Sequence, residues 1–421
     1  MVSVGHAVEA ATLSDPKVLV VGAGPAGATL ALELARRGLG VEILERKRFP
    51  RDKACGDCLN PGAVAELDRL GIADRLRTTL RPNRLRGWRV EAPDGRSFEA
   101  SFSSTDVSLA AVEEGWAVRR RDFDAALLNA AVDAGVGVRF DMRVFDLLRS
   151  GERVVGVVAR QGTRSLQIEG SLVVGADGLN SVVRRRLALA ARLPRLRKIA
   201  LVAHLACADG GEHFGELRVR RGRSCGFAPL PGGANVTLVI AEREARRVAG
   251  DPRRFFEEAL ASFPELRARV RSSALEDTVL VTGPFDRPVK RAWAAGALLV
   301  GDAAGYYDPF TGQGIYQALR SARLAAEAVV AALADPTSEG LAFRRYDRAL
   351  RREFAPKRGL QRAIEAAISR PRLMSRLVAA LARGEAAAAR RLLRATGDIE
   401  HPASLLDPLF MGRLLVGMVG R

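Results

Sequence analysis

The chain has little with which to build a disulfide scaffold, a metal centre or a membrane span. Its 421 residues include four cysteines, too few for disulfides to stand in for a hydrophobic core. Cys55 and Cys58 form a CxxC pair, but no second pair exists to complete a zinc site, and Cys207 and Cys225 stand alone. His204 and His213 lack partners at ligand spacing, so no metal is expected. No window of 18 apolar residues escapes interruption by Arg, Asp or Glu, which argues against a spanning helix. Residues 1–15 show no basic segment followed by an apolar one and do not read as a secretory signal. A cytoplasmic location is expected, with peripheral contact at a membrane surface left open.

Lysine is also scarce. It occurs only at Lys17, Lys47, Lys53, Lys198, Lys290 and Lys357, so the formal charge of +18 is almost all arginine. The basic residues are spread along the chain, with no aromatic-studded tract and no nucleic-acid module. The excess therefore reads as compositional bias, and no nucleic-acid partner is expected; anionic lipid or an acidic partner stays compatible with it. What is present is ordinary for a globular protein: 48% hydrophobic and 27% charged residues. The length suits two or three domains. Nothing in the pattern signals an oligomeric state.

Along the chain, Lys17–Val21 is a short β-branched run of the kind found in buried parallel strands. Helical spacing follows over Ala26–Arg37, then glycines, then a second strand at Val41–Leu44. Val20-Val21-Gly22-Ala23-Gly24-Pro25-Ala26-Gly27 thus places GxGxxG between a strand and a helix. Gly22 permits the tight turn, Gly24 lets backbone approach a pyrophosphate, and Gly27 allows close helix–strand packing. The helix N-terminus offers free N–H groups to phosphate. Glu45 ends the second strand about 20 positions on, where a ribose-binding carboxylate is expected.

Further strands are predicted at Val136–Phe140, Val144–Leu148, Val154–Val158, Ser165–Ile168, Leu172–Val174 and Ala297–Val300. Helices are predicted over Pro61–Leu70, Asp122–Ala134, Asp251–Ser262 and Gly312–Ala334. Residues 198–241 alternate apolar and polar with frequent glycine, as in an antiparallel sheet. Beyond Pro336 the chain is almost wholly helical and rich in arginine. The fold class is α/β: a Rossmann-type dinucleotide-binding domain with an inserted, mostly antiparallel substrate domain and a C-terminal helical region. The expected bounds are 15–80, 110–190 and 278–335 for the dinucleotide domain, 81–109 and 191–277 for the substrate domain, and 336–421 for the helical region.

Two segments favour FAD over NAD as the resident dinucleotide. Ala297–Gly305, containing Gly301-Asp302, resembles the second FAD fingerprint of flavoprotein monooxygenases and their relatives, in which the aspartate reaches a ribityl hydroxyl. Val174-Gly175-Ala176-Asp177-Gly178, with Ser181 and Arg184, resembles that superfamily's DG motif. Lys53–Ala63, with Cys55-Gly56-Asp57-Cys58, is similar to a segment of the geranylgeranyl reductase family. Asp308–Leu319 resembles that family's loop beneath the flavin ring. Arg120, Phe123 and Asp124 match its R-x-x-F-D pattern, and Gly226–Gly233 its substrate-domain segment. The likeness runs from about Lys17 to Ala334. The chain departs from the family's aromatic-rich pattern at Cys225–Pro229 and carries a bulky Tyr306-Tyr307.

The resemblance implies a cofactor-binding set of Gly22, Gly24, Pro25, Ala26, Gly27, Glu45, Arg46, Arg120, Val144, Asp177, Gly178, Asp302, Gly312, Gly314 and Ile315. It nominates Cys55, Tyr307 and Asp308 for the catalytic set. The implied reaction is hydride delivery from reduced FAD to a C=C bond of a hydrophobic, isoprenoid- or polyketide-like small molecule, with NAD(P)H as reductant. A helix starting near Gly312 would turn its positive end toward the charge that develops on the flavin. Three alternatives stay open: a flavin monooxygenase, a dithiol–disulfide enzyme using Cys55 and Cys58, and a non-catalytic flavin-binding scaffold. Leu373, Leu377 and Leu381, with Arg372, Arg376 and Arg383, predict amphipathic C-terminal helices that cover a core or close a domain.

Overall fold

The computed structural model describes residues 18–103, 113–191, 196–207, 213–220, 222–275, 278–383, 386–408 and 412. The opening stretch expected to carry no signal lies outside them. Val18–Val21 forms a fully buried strand that pairs in parallel with Val41–Leu44 on one side and Leu172–Gly175 on the other. Leu172–Gly175 pairs in parallel with Ala297–Leu299, and Val41–Leu44 with Gly137–Arg139. The short antiparallel strand Trp293–Ala294 completes a six-stranded sheet. Three of its strands come from stretches far apart in sequence, as the separated Rossmann signals predict.

Register places Val21 beside Leu44 and Gly175, and Gly175 beside Leu299. The residues that follow, Gly22, Glu45, Ala176 and Val300, therefore leave the sheet at one level. Ligands of open parallel sheets bind at this carboxyl end. Helices Pro25–Ala35 and Gly314–Ala334 pack on the sheet through Leu30, Leu34, Leu319, Ala322 and Val329, all nearly or wholly buried.

A second sheet has eight strands, among them Lys198–Cys207, Phe214–Arg220, Arg223–Leu230 and Gly233–Ala241. Its pairings are antiparallel except that Phe214–Arg220 runs parallel to Gly87–Glu91. The period of two divides its faces. Ile199, Leu201, Ala203, Val236, Leu238 and Ile240 pack under Phe255, Phe256 and Phe263. Ala200, Val202, Thr237 and Val239 line a cavity on the other side. Leu280–Thr282 pairs with Lys198–Cys207, so this sheet draws on residues expected in the dinucleotide domain. Asn83–Leu85 pairs instead with Gly115–Ala117, in a small sheet with Cys58–Leu59.

The last region is helical as expected, with helices Glu339–Ile368, Pro371–Arg383 and Ala386–Thr396. Met374, Val378 and Leu381 are buried against Val90, Phe98 and Phe102 of the substrate sheet and its margin. Among the described residues, no helix is long and apolar enough to cross a membrane.

Candidate active site

The three fingerprints interlock. Gly22 adopts φ +103°, and a Cβ there would lie 2.7 Å from the Ala176 carbonyl oxygen. A Cβ on Gly27 would lie 2.0 Å from the Gly22 carbonyl oxygen and 3.2 Å from Ala176 Cβ. Only hydrogen fits at either position. Gly301 sits equally close on Ala26, its added Cβ 2.8 Å from that methyl. Arg184, capped by the Ser181 hydroxyl, donates through Nη1 to the Asp302 and Ala303 carbonyls at 3.2 Å and through Nη2 to Leu179 at 2.6 Å. The DG and GD segments are thereby clamped to one another.

Between the sheets lies a cavity of ≈ 700 Å³. Its dinucleotide end is walled by Gly22, Gly24, Pro25, Ala26, Glu45, Arg46, Val144, Asp177, Gly178 and Asp302. Gly27 stands behind this wall, consistent with a packing role. Gly24 faces open space, with only the Arg51 Nη2 atom 3.8 Å from an added Cβ. Helix Pro25–Ala35 starts here without a side-chain cap, so its first N–H groups stay free for phosphate. The Glu45 carboxylate accepts from the backbone N–H groups of Ala23 (2.8 Å) and Lys47 (3.0 Å), which fixes it at the strand end.

Asp177 spends Oδ2 on capping the helix Val182–Arg186 at Val182 N–H (2.6 Å). Its Oδ1 is buried and has no partner in the protein. An orphaned carboxylate oxygen beside the open turn fits a hydroxyl-rich dinucleotide. Burial pushes the Asp302 carboxyl up, and Lys53, Arg120 and Arg184 oppose that shift. Lys53, pushed down by burial, also lines the cavity. These residues fit FAD.

Cys55 and Arg120 also line the cavity, as do Thr311, Gly312 and Gly314 of the turn Thr311–Gly314. Arg120 chelates the buried Asp124 through Nε (2.8 Å) and Nη2 (2.9 Å). Burial raises the Cys55 thiol above its ordinary range, with Arg120 opposing; Cys58 is raised further, again by burial. Gly312 adopts φ +68°, and the helix begins at Gly314, two residues later than the spacing predicts. It too starts uncapped, with Gly314 and Ile315 in the cavity wall.

Tyr307 and Asp308 are placed elsewhere. The wall takes Tyr306, whose phenol burial raises. Tyr307 lies under the Arg362 guanidinium at 5.7 Å, because neighbours in an extended segment face opposite ways. Asp308 is buried behind the turn, accepts from Phe310 N–H at 2.8 Å, and is raised to about 6 by that burial.

Sequence reading missed one buried network. Asp57, at φ +55°, meets His204 Nε2 at 2.5 Å, and accepts from Asn235 Nδ2 (2.9 Å) and Arg120 N–H (3.0 Å). Asn235 also donates to the Cys55 carbonyl at 2.8 Å. His204 thus ties the substrate sheet to the cysteine loop.

The fold and the site define a Rossmann-type flavoprotein. An FAD binding domain model matches residues 15–354, and the chain belongs to the geranylgeranyl reductase family of FAD-dependent oxidoreductases. It is 33% identical over 327 residues to menaquinone reductase of Mycolicibacterium smegmatis, covering 74% of this chain and 75% of that one. It is 32% identical over 350 residues to digeranylgeranylglycerophospholipid reductase of Methanothrix thermoacetophila, covering 77% and 80%. A geranylgeranyl bacteriochlorophyll reductase-like protein from Thermoplasma acidophilum shares the fold, with TM-score 0.76 at 20% identity over 95% of this chain and 98% of that one.

Proposed function

We propose that this enzyme reduces a C=C bond of a hydrophobic, isoprenoid- or polyketide-like molecule, with NAD(P)H as the reductant. One observation carries the reading. Beyond the turn Thr311–Gly314 the cavity continues between the substrate sheet and the C-terminal helices, where Val90, Phe98, Met374, Leu377, Val378 and Leu381 line it. An apolar chamber of this kind takes a hydrocarbon and offers no partner to a charged ligand. The curated relatives at about a third identity bear names of lipid and quinone reductases.

Held at Gly22–Gly27, FAD would supply the hydride chemistry between NAD(P)H and one alkene carbon, with a proton added at the other. The chain's part is to hold the dinucleotide at Gly22–Gly27, aim the uncapped helix end at the ring, and keep water from the apolar chamber. Cys55 and Tyr306, both held in the protonated form by burial, are two of the proton-bearing groups in the wall. The raised thiols of Cys55 and Cys58 argue against a dithiol mechanism, which needs thiolate.

The test is anaerobic photometry. The protein is reduced with dithionite and offered a short polyprenyl quinone or polyprenyl alcohol. Reoxidation of the flavin without O₂, with a saturated product, is expected. Reoxidation that occurs only with O₂ would replace this reading with a monooxygenase.

A further inference from the structure

The C-terminal region reaches the turn Thr311–Gly314 from outside the dinucleotide fold. Asp398 follows helix Ala386–Thr396 in the left-handed conformation, φ +60°, and its side chain is 0% exposed. Its carboxylate accepts from Asn60 Nδ2 at 2.7 Å, Gln313 Nε2 at 2.8 Å and Lys357 Nζ at 2.7 Å. Asn60 caps the helix Pro61–Arg69 with its other amide atom. Gln313 is the residue before helix Gly314–Ala334. Its Oε1 accepts from the Thr311 hydroxyl at 2.9 Å and from Gln361 Nε2 at 3.1 Å. The turn Thr311–Gly314, whose other side lines the cavity, is therefore held from behind by one buried carboxylate.

The charges near Asp398 are closely matched. Lys357 lies between Asp398 and Glu353 (3.2 Å), and Glu353 in turn meets Arg320 at 3.1 Å. A packing tether would need only shape. A carboxylate buried with an ammonium at the start of an uncapped helix also sets the local potential.

We propose that Asp398 is a positioning residue for the flavin: through Gln313 it fixes the turn Thr311–Gly314, and with Lys357 it sets the charge behind that turn. The proposal rests on FAD bound with its ring against this turn and is independent of which substrate is reduced.

The test uses the full-length holoprotein and two readouts, FAD dissociation by fluorescence and the midpoint potential by dye-equilibrated titration. Gln313→Ala cuts the link while leaving Asp398, Lys357 and Asn60 together. It should raise the FAD dissociation constant about tenfold, the loss expected for a hydrogen bond to a charged group. Asp398→Asn keeps the shape and leaves more positive charge behind the turn, so the midpoint potential should rise. Lys357→Met should lower it. If Gln313→Ala binds FAD as the wild type does, or if the two charge variants leave the potential unmoved or shift it in the same direction, the assignment is overturned. A failure of quinone or alkene to reoxidise the flavin would bear on the substrate reading and leave these readouts untouched.

Discussion

At the scale of single residues, the second and third glycines of the fingerprint separate folding from binding. Gly27→Ala forces a methyl to within 2.0 Å of the Gly22 carbonyl, and should destabilise the FAD-free protein by about 1–3 kcal/mol in urea unfolding. Gly24→Val meets no backbone, since Arg51 Nη2 at 3.8 Å is the nearest atom to its Cβ. It should leave that unfolding curve in place while weakening FAD binding by about 10–100-fold, through bulk at the diphosphate position. A Gly24 variant that binds FAD normally would remove the diphosphate from this turn. Asp308 gives a pH signature. Its carboxyl, raised by burial from 3.8 to about 6, binds its proton more tightly in the folded state. That stabilisation is complete below about pH 4 and is lost as pH rises through 6. Asp308→Asn should therefore stabilise the protein at pH 8, by up to about 3 kcal/mol, with the advantage vanishing near pH 4. Guanidine titrations at the two pH values check both sign and window. GxGxxG, Glu45 and Asp302 were legible in the sequence because their chemistry is written in adjacent letters. The Asp57–His204–Asn235 network was not. Its members lie on separate elements, and only folding brings them within hydrogen-bond reach.

At the scale of elements, period and punctuation placed nearly all of the strands and helices named one by one in the sequence to within two residues. Helix Ala73–Leu80 escaped, because Arg75, Arg77, Thr78 and Thr79 obscure its two buried positions, Ala73 and Leu76. Gly312 marked a helix start two residues early, since its positive φ makes it the end of a turn. The amphipathic helix Pro371–Arg383 was read as covering a core; it packs against the substrate sheet and also walls the apolar chamber. Leu377 is half-buried there, so an arginine can turn its charge toward solvent while its stem crosses the chamber. Leu377→Arg should keep FAD affinity within about twofold, because the phosphate end is unchanged, yet raise KM for a polyprenyl substrate at least tenfold, about 1.4 kcal/mol. Steady-state kinetics beside an FAD titration distinguish this from general unfolding, in which both would fail.

At the scale of the whole molecule, the dinucleotide site joins stretches separated by well over a hundred residues. FAD should therefore act as a clamp on all of them. Free FAD at a hundredfold excess over its dissociation constant should add about 2.7 kcal/mol of stability, seen as a higher melting temperature after reconstitution of deflavinated protein. Hydrogen exchange should slow together at residues 22–27, 176–178 and 301–315; protection confined to the first stretch would contradict a shared site. The interleaving also imposes an order of events during synthesis. Val18–Val21 gains its neighbour Val41–Leu44 early, but Leu172–Gly175 emerges long before Ala297–Leu299 can cover its edge. At roughly 5–20 residues per second the ribosome needs about 6–25 s for the intervening chain. In that interval the strands from Lys198–Cys207 to Leu280–Thr282 all leave the exit tunnel. The inserted sheet can thus assemble while its host still shows a bare edge, and the nascent chain should draw chaperones most strongly in that window.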